Sequence, residues 1–294
     1  MKRIFVLVLV MLLALGATAM AKDGSVEAIK EKGTLVMGLD DSFPPMGYRD
    51  ENNEIVGYDV DLAKEVCARL GVELKLQPIE WAAKELELSS GNIDCIWNGM
   101  SITPAREESM AMSFPYLNNE ILLYAKADSG IGSIADMAGK KIAVQSGSFA
   151  EEVLDTFEQY AELRASVNET LRYDEYLTAL MDLQAGGVDA VLIDKVVAEF
   201  RIKGLGDESI VPVASLADDN FGVGFRKGDV ALRDEVQNLL VAMAKDGTAA
   251  KISTEWFGAD ISTIPGEYEG GLPGFPLPLR GGVWGIGCLY ICTF

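Results

Sequence analysis

The stretch GNIDCIWNGMSITPAR, residues 91–106, combines a strand, a loop and a helix start. A Gly-Asn turn precedes a short apolar strand at residues 93–97, and a loop of small residues is predicted at residues 98–102. Thr103 is typical of a helix N-cap, and Pro104 is typical of the first helical position, where its missing N–H is not needed. The pattern therefore predicts a strand that opens into a helix start, with polar groups at the carboxyl end of the strand.

Those polar groups suit a ligand carboxylate. The guanidinium of Arg106 can hold both carboxylate oxygens, the hydroxyl of Ser101 adds a donor, and free helix-start amides favour negative charge. The same residues also fit an ordinary strand–turn–helix connection with a solvated arginine. This stretch alone leaves both interpretations open.

The chain before this stretch reads as an α/β unit. Residues 34–39 are predicted as a buried strand that ends at two prolines, which leaves Phe43 on a rigid turn. A helix with apolar residues at helical spacing runs to Gly71, and an alternating strand at residues 72–76 delivers Trp81 just past its end. This succession of strands and helices favours a parallel or mixed sheet covered by helices.

A second such unit follows. A strand is predicted at residues 142–145, and Ser148 with Glu151 forms a capping-box pattern at the start of a helix. A further strand at residues 188–193 has Asp194 at its carboxyl end. Since ligands of open α/β sheets bind outside the carboxyl ends of the strands, two such units predict two lobes that face one another across a cleft.

Composition favours binding over chemistry. The formal net charge is −20 and the chain has no histidine. The acidic surface argues against nucleic acid and anionic lipid as partners. The lack of histidine excludes His-dependent catalytic triads and ordinary zinc ligation, and no calcium-loop spacing is present. We predict no catalytic residue, no metal and no cofactor.

The first 21 residues read as a cleavable signal peptide. Lys2 and Arg3 precede an apolar core at residues 4–15, and Ala19-Met20-Ala21 is a small-x-small cleavage site. Because no cysteine lies at the cleavage point, no lipid anchor is predicted. The pattern indicates export to the periplasm.

Cys67 and Cys95 lie in the first folded region, and we expect them to form a disulfide because an exported protein can be oxidised. The segment 261–294 turns rich in Gly and Pro and then apolar at residues 283–294, a run too short to span a membrane. A truncated transmembrane start, a disordered tail and a reading-frame artefact remain open for it.

The motifs together resemble the polar amino acid-binding proteins of bacterial ABC importers, solute-binding protein family 3. The matching pieces, in the order and spacing of that family, are LVMGLDDSFPPMGY, IVGYDVDLAKEVCARLG, IDCIWNGMSITPAR, KKIAVQSGS, VDAVLID and the closing EWFG. The resemblance implies a two-lobed periplasmic binding protein fold of type II, in which each lobe is a mixed β-sheet flanked by helices. Two hinge strands would join the lobes.

On this chain the resemblance places lobe 1 at residues 22–117 and 225–260 and lobe 2 at residues 118–224, with crossings near 118–120 and 221–224. It implies a monomer that captures a free amino acid and passes it to the membrane permease subunits of an ABC importer. Closure of the lobes around the ligand would create the shape that the permease recognises.

The resemblance also implies residue roles at the carboxylate end of the ligand. Arg106 would grip the α-carboxylate, with help from Ser101 and from backbone amides near Gly147 and Ser148. Ser148 also reads as a helix cap whether or not it touches ligand.

At the other end Asp194 would receive the α-ammonium, helped by the carbonyl of Gly99, and Phe43 and Trp81 would sandwich the side chain. Asp194 is also a candidate N-cap of the next helix, and the two aromatics are candidate core residues. We interpret Trp97 as core or cleft wall.

The side chain of the ligand stays open. Asp40 and Asp41 beside Phe43 favour a cationic side chain, as in arginine, lysine or histidine. Gln145 lies at another strand end, and glutamine or another uncharged polar amino acid remains open as the ligand. Two other functions also remain. An exported cyclohexadienyl dehydratase acting on prephenate or arogenate shares this fold, but it needs a cleft carboxyl with a raised pKa. We expect Asp194 to stay ionised next to a ligand ammonium, and the spacing indicates no second cleft carboxylate. The sensing module of a membrane receptor is the other.

Overall fold

The structure is a computed structural model that describes residues 23–205 and 209–267. The predicted signal peptide and residues 268–294 of the predicted tail lie outside the described residues. The strands, in chain order, are β1 Thr34–Leu39, β2 Ser42–Phe43, β3 Gly47–Arg49, β4 Ile55–Val56, β5 Glu73–Pro78, β6 Cys95–Ser101, β7 Met110–Met112, β8 Leu117–Lys126, β9 Lys141–Gln145, β10 Glu169–Tyr173, β11 Ala190–Asp194 and β12 Ile210–Arg226. The α-helices are α1 Ser25–Lys32, α2 Tyr58–Leu70, α3 Lys84–Ser89, α4 Pro104–Ser109, α5 Phe149–Thr156, α6 Ala161–Ser166, α7 Tyr176–Ala185, α8 Lys195–Leu205, α9 Val230–Asp246 and α10 Thr248–Phe257.

Nine of these strands form one mixed sheet in the order β10-β9-β11-β8-β12-β6-β1-β5, with β7 paired to β12. The antiparallel pair β8 and β12 lies in the middle. We call β1, β5, β6 and β7 the first half of the sheet and β9, β10 and β11 the second half. β12 pairs with β8 over its first part and with β6 and β7 over its last part, so the chain passes between the halves along these strands.

Burial on both faces explains why β11 is apolar up to its last residue. On β11, Val191 and Ile193 belong to a core cluster that continues across both halves on one face of the sheet. Ala190 and Leu192 point to a separate cluster on the opposite face. The polar residue that ends this strand, Asp194, therefore stands out against its neighbours.

Local patterns predicted several elements correctly. The predicted strand at residues 34–39 is β1, and the helix that ends at Gly71 is α2. The loop predicted at residues 98–102 is wrong, because β6 continues to Ser101. Its last residues are held as strand by β12, where Phe221 pairs with Ser101. The lobe boundaries remain a prediction.

The expected disulfide is also wrong in this structure, which holds Cys67 and Cys95 as buried free thiols. Both pack as small apolar groups in the cluster that spans the two halves. Burial raises the pKa of Cys67 to about 12 and that of Cys95 well above its ordinary value. Neither thiol is therefore activated as a thiolate.

The described beginning of the predicted tail packs back on the sheet. Ser262 forms a bridge to Leu117, and the Thr263 N–H donates to the Tyr116 carbonyl at 2.9 Å. Over the two described ranges, no helix is both long enough and apolar enough to cross a membrane.

Candidate ligand-binding site

Arg106 is positioned by the helix start that the sequence predicts. Thr103 is the N-cap of α4 and its hydroxyl accepts the Arg106 N–H at 3.3 Å, with Pro104 at the first helical position. The Arg106 side chain folds back onto the end of β6, where Nη1 donates to the Ser101 carbonyl at 2.9 Å. The guanidinium is buried, and burial lowers its pKa.

The Arg106 guanidinium also reaches the turn between β9 and α5, which belongs to the second half of the sheet. Its Nη2 donates to the carbonyl oxygen of Gly147 at 3.4 Å. Gly147 has φ +71°, and a Cβ atom there would lie 2.9 Å from the Cα of Ala82 in the first half. Only glycine fits this conformation and this close approach, so residue 147 is a point where the halves meet backbone to backbone.

Lys84, which sequence reasoning missed, joins Arg106 at the same carbonyl. Its ammonium donates to Gly147 O at 2.8 Å and to Trp81 O at 3.2 Å, and lies 5.0 Å from the centre of the Trp81 ring. The residue is 3% exposed. Burial, followed by the nearby Arg106 charge, lowers the pKa of Lys84 to about 7. No sequence signal marks it, since a lysine at a helix start normally reads as solvated.

The backbone amides near Gly147 and Ser148, predicted to help with the carboxylate, already have partners here. Gly147 N–H donates to the Glu151 carboxylate at 2.7 Å, and Ser148 N–H donates to the Gln145 carbonyl at 3.2 Å. The Ser148 hydroxyl accepts the Glu151 N–H at 3.1 Å, so the predicted cap of α5 is confirmed. A ligand role for these two residues remains a prediction.

Asp194 is buried at the carboxyl end of β11, and a second buried carboxylate lies beside it. The Asn119 amide donates to Asp194 Oδ1 at 2.7 Å and to Asp219 Oδ2 at 2.9 Å. The expectation that no second carboxylate faces the cleft is therefore wrong. Sequence reasoning missed Asn119 and Asp219 because the register of β8 with β12 brings them together, and spacing along the chain does not.

The two charged ends are linked by hydrogen bonds. The Ser101 hydroxyl donates a hydrogen bond to Asp219 Oδ2 at 3.0 Å, while the Ser101 carbonyl accepts a hydrogen bond from Arg106 Nη1. Burial first, and then the neighbouring Asp219, raise the pKa of Asp194. Burial likewise raises the pKa of Asp219. The expectation that Asp194 stays ionised beside a ligand ammonium remains a prediction, because these shifts describe the protein without ligand.

Gly99 lies near the end of β6, between the ring of Phe43 and the buried side chain of Asp59. Its φ is +56°, and a Cβ atom would lie 2.7 Å from Cε1 of Phe43. Its N–H donates to the buried Asp59 carboxylate at 2.7 Å. Gly99 must therefore stay glycine for Phe43 to keep its place.

Phe43 and Trp81 are both buried, and Phe43 packs against Tyr176 with ring centres 6.1 Å apart. Their predicted sandwich of a ligand side chain remains a prediction. Trp97 is fully buried in the core, which agrees with its interpretation as core or cleft wall.

Asp40 and Asp41 are already engaged within the protein. Asp40 accepts the Ser42 N–H and hydroxyl at 2.8 Å each and the Gln145 amide at 2.7 Å, which is a further contact between the halves. Asp41 pairs with Arg49 at 2.5 Å. The described residues contain no group of three or more potential metal ligands.

The chain is similar to known proteins over most of its length. Residues 35–259 match the family model of the bacterial extracellular solute-binding proteins, family 3. The L-cystine-binding protein TcyJ of Escherichia coli (strain K12) is 31% identical over 259 residues, or 87% of this chain and 95% of the relative. ABC transporter arginine-binding protein 1 of the same strain is 30% identical over 225 residues, or 75% of this chain and 89% of the relative.

A solved structure extends the likeness to three dimensions. The substrate-binding protein of an ABC uptake transporter from Streptococcus pneumoniae, with bound histidine, has a TM-score of 0.79 and 33% identity. The match covers 83% of this chain and 100% of that chain. This confirms the predicted fold class, the type II periplasmic binding protein fold.

Proposed function

The chain belongs to the bacterial extracellular solute-binding proteins of family 3, and from that membership we propose that it captures a polar L-amino acid outside the cytoplasm. In this proposal the ligand lies between lobe 1 (residues 22–117 and 225–260) and lobe 2 (residues 118–224). The protein works in the periplasm as a monomer and delivers its ligand to the permease subunits of an ABC importer. It is a binding protein and not an enzyme.

The observation that carries the proposal is the separation of buried charges in the cleft. Arg106 and Lys84 are buried around the Gly147 carbonyl, whereas Asp194 and Asp219 are buried around the Asn119 amide. A zwitterion gives up hydration at both of its charges when it is enclosed, so each charge needs a fixed partner of opposite sign. Arg106 serves the α-carboxylate and Asp194 serves the α-ammonium in this arrangement.

Contacts across the cleft support a closing motion. Arg106, Lys84 and Asp40 of the first half bond to Gly147 and Gln145 of the second. A ligand that touches both halves binds the closed form better than the open form, so it shifts the equilibrium toward closure. The closed shape is then the signal that the permease reads.

The side chain of the ligand is basic or otherwise polar in our proposal. The relatives named above are described with cystine, arginine or histidine, so membership alone does not select one. Asp40 and Asp41 already have protein partners, so they are weaker candidates for binding a cationic side chain of the ligand. Phe43 and Trp81 would cover the apolar stem of any of these ligands.

The raised pKa of Asp194 favours the dehydratase alternative, because a general acid must hold a proton at neutral pH. An ammonium ion beside the two carboxylates reverses that shift, since opposite charge favours ionisation. We therefore keep prephenate as a test compound only.

A thermal-shift screen of the purified protein against the twenty amino acids, L-cystine and prephenate tests the proposal. A ligand at 100 times its dissociation constant adds about 2.7 kcal/mol to the free energy of unfolding. We expect one or a few amino acids to stabilise the wild type and the control Arg233→Met, whose arginine pairs with Asp234 on α9. They should fail to stabilise Arg106→Met and Asp194→Ala. Stabilisation by no amino acid, or turnover of prephenate, would refute the proposal.

A further inference from the structure

Three polar side chains meet on three neighbouring strands of the sheet. Asn119 lies on β8, Asp219 is its direct partner on β12, and Asp194 ends β11 on the other side of β8. The Asn119 amide nitrogen donates to both carboxylates, at 2.7 Å and 2.9 Å. Because strand register holds the group together, it does not depend on closure of the cleft.

This group has more acceptors than donors. Asp194 and Asp219 are each 4% exposed, and among the described residues neither has a lysine or arginine nitrogen within 4.0 Å. Asn119 Oδ1 and Tyr176 Oη are buried and have no hydrogen-bond partner in the part of the chain that the structure describes. Burial, and then the Asp194 charge, raise the pKa of Tyr176.

The other charges around the group do not neutralise it. Arg106 on α4 attracts both carboxylates from a distance, but its bonds go to the carbonyls of Ser101 and Gly147. On β8 itself, the residue after Asn119 is Glu120, which is paired with Lys195 at 2.7 Å, so that lysine already has a partner. What the group lacks is a small cation with several N–H donors.

We propose that Asp194, Asn119 and Asp219 form one ammonium-binding cage, that the empty cage keeps one proton shared by its two carboxyl groups, and that the ligand ammonium displaces this proton. The inference rests on the proposed function, because it assumes an amino acid whose ammonium enters here. On binding, one carboxyl O–H bond breaks and its proton passes to solvent. The ammonium keeps all of its own protons and donates them to the cage.

The physical reason is mutual repulsion in a buried site. Burial and the neighbouring acid both disfavour two adjacent negative charges, so the first proton is held at neutral pH. An ammonium contributes the positive charge that makes double ionisation favourable. Binding should therefore release up to one proton, and affinity should rise by at most tenfold per pH unit below the upper pKa of the pair.

Calorimetric titration at pH 6.5 with L-arginine, L-glutamine and L-cystine, in phosphate and in imidazole buffer, measures this proton. The difference in binding heat between buffers of different ionisation enthalpy gives the number released. We expect close to one proton for the wild type and for Asp218→Asn, a matched change at the adjacent position of β12. We expect clearly fewer protons for Asp219→Asn, because Asp194 keeps the effect of burial but loses its acidic neighbour. Equal proton release by Asp219→Asn and the wild type would overturn the inference.

A measurement without ligand separates this inference from the proposed function. An acid whose pKa is raised on folding makes the free energy of unfolding fall as pH rises, here from about pH 4 to the raised pKa values. Asp219→Asn should reduce that fall in unliganded protein, whereas Asp218→Asn should not. Parallel curves for Asp219→Asn and wild type would refute the shared proton even if amino acids bind. A reduced fall with no heat from any compound would refute the proposed function instead.

Discussion

Gly147 offers the sharpest test of closure, because it meets the opposite half without a side chain. In Gly147→Ala the new Cβ lies 2.9 Å from the Cα of Ala82, a backbone atom that cannot rotate away. The clash exists only when the halves are together. We therefore expect the substitution to weaken ligand binding more than it weakens folding.

The expected losses of folding stability and of ligand affinity in Gly147→Ala come from two separate effects. A non-glycine residue at a left-handed φ costs about 1–2 kcal/mol, whether the cleft is open or closed. Overpacking against a backbone atom costs about 1–3 kcal/mol more, in the closed form alone. The second effect corresponds to a rise in dissociation constant of about 5- to 150-fold. Displacement of the Gly147 carbonyl also lengthens its bonds to Lys84 and Arg106.

Gly186→Ala is the matched control. Gly186 ends α7 with φ +81°, and a Cβ atom there meets nothing within 4 Å. Both variants should lose about 2–8 °C in melting temperature without ligand. Only Gly147→Ala should lose affinity for the amino acid found in the thermal screen, as measured by calorimetric titration. Equal affinities of the two variants would refute the view that this contact belongs to the ligand-bound form.

Three further outcomes are expected. Burial lowers the pKa of Lys84 from 10.5 to about 7, so its destabilising effect grows as pH falls from about 10.5 and is complete below about 7. Thermal melts of unliganded Lys84→Met should show higher stability than wild type at pH 6 and no difference near pH 10; equal melts at pH 6 would contradict this reasoning. Burial raises the pKa of Asp59 to about 7, so wild-type stability should fall as pH rises from about 4 to 7, and chemical denaturation of Asp59→Asn should show a smaller fall. Alkylation of the denatured protein without reductant should label both Cys67 and Cys95 in peptide maps. A cross-linked peptide that contains both cysteines would show instead that the disulfide forms.

Sequence patterns located the parts of the site that depend on local structure. Thr103 and Pro104 identify the start of α4, and this start fixes where Arg106 begins its return to Ser101. Asp194 is conspicuous because it ends an apolar strand. These features can be predicted because a cap, a turn or a strand end involves only a few adjacent residues.

The remaining parts depend on pairings that no local pattern records. Asn119 and Asp219 are 100 positions apart and meet through strand register. Lys84 meets Gly147 across 63 positions, and its surroundings on α3 are those of a surface helix. The first part of β12 shows no strand pattern in the sequence, because it carries small and polar residues that lie on β8 instead of forming an apolar run.

The pairing of β8 with β12 has a consequence for how the chain can be cut and rejoined. Leu117 and Phe221 are direct partners, so the segment between them leaves the first half and returns to it at one place. It is an insertion whose two ends are neighbours, the arrangement that best tolerates transplantation and circular permutation. New termini in the exposed turn after Lys126 would leave both crossing strands intact. Such a permutant could carry reporter groups on the second half, and the second half could be exchanged among relatives with different ligands.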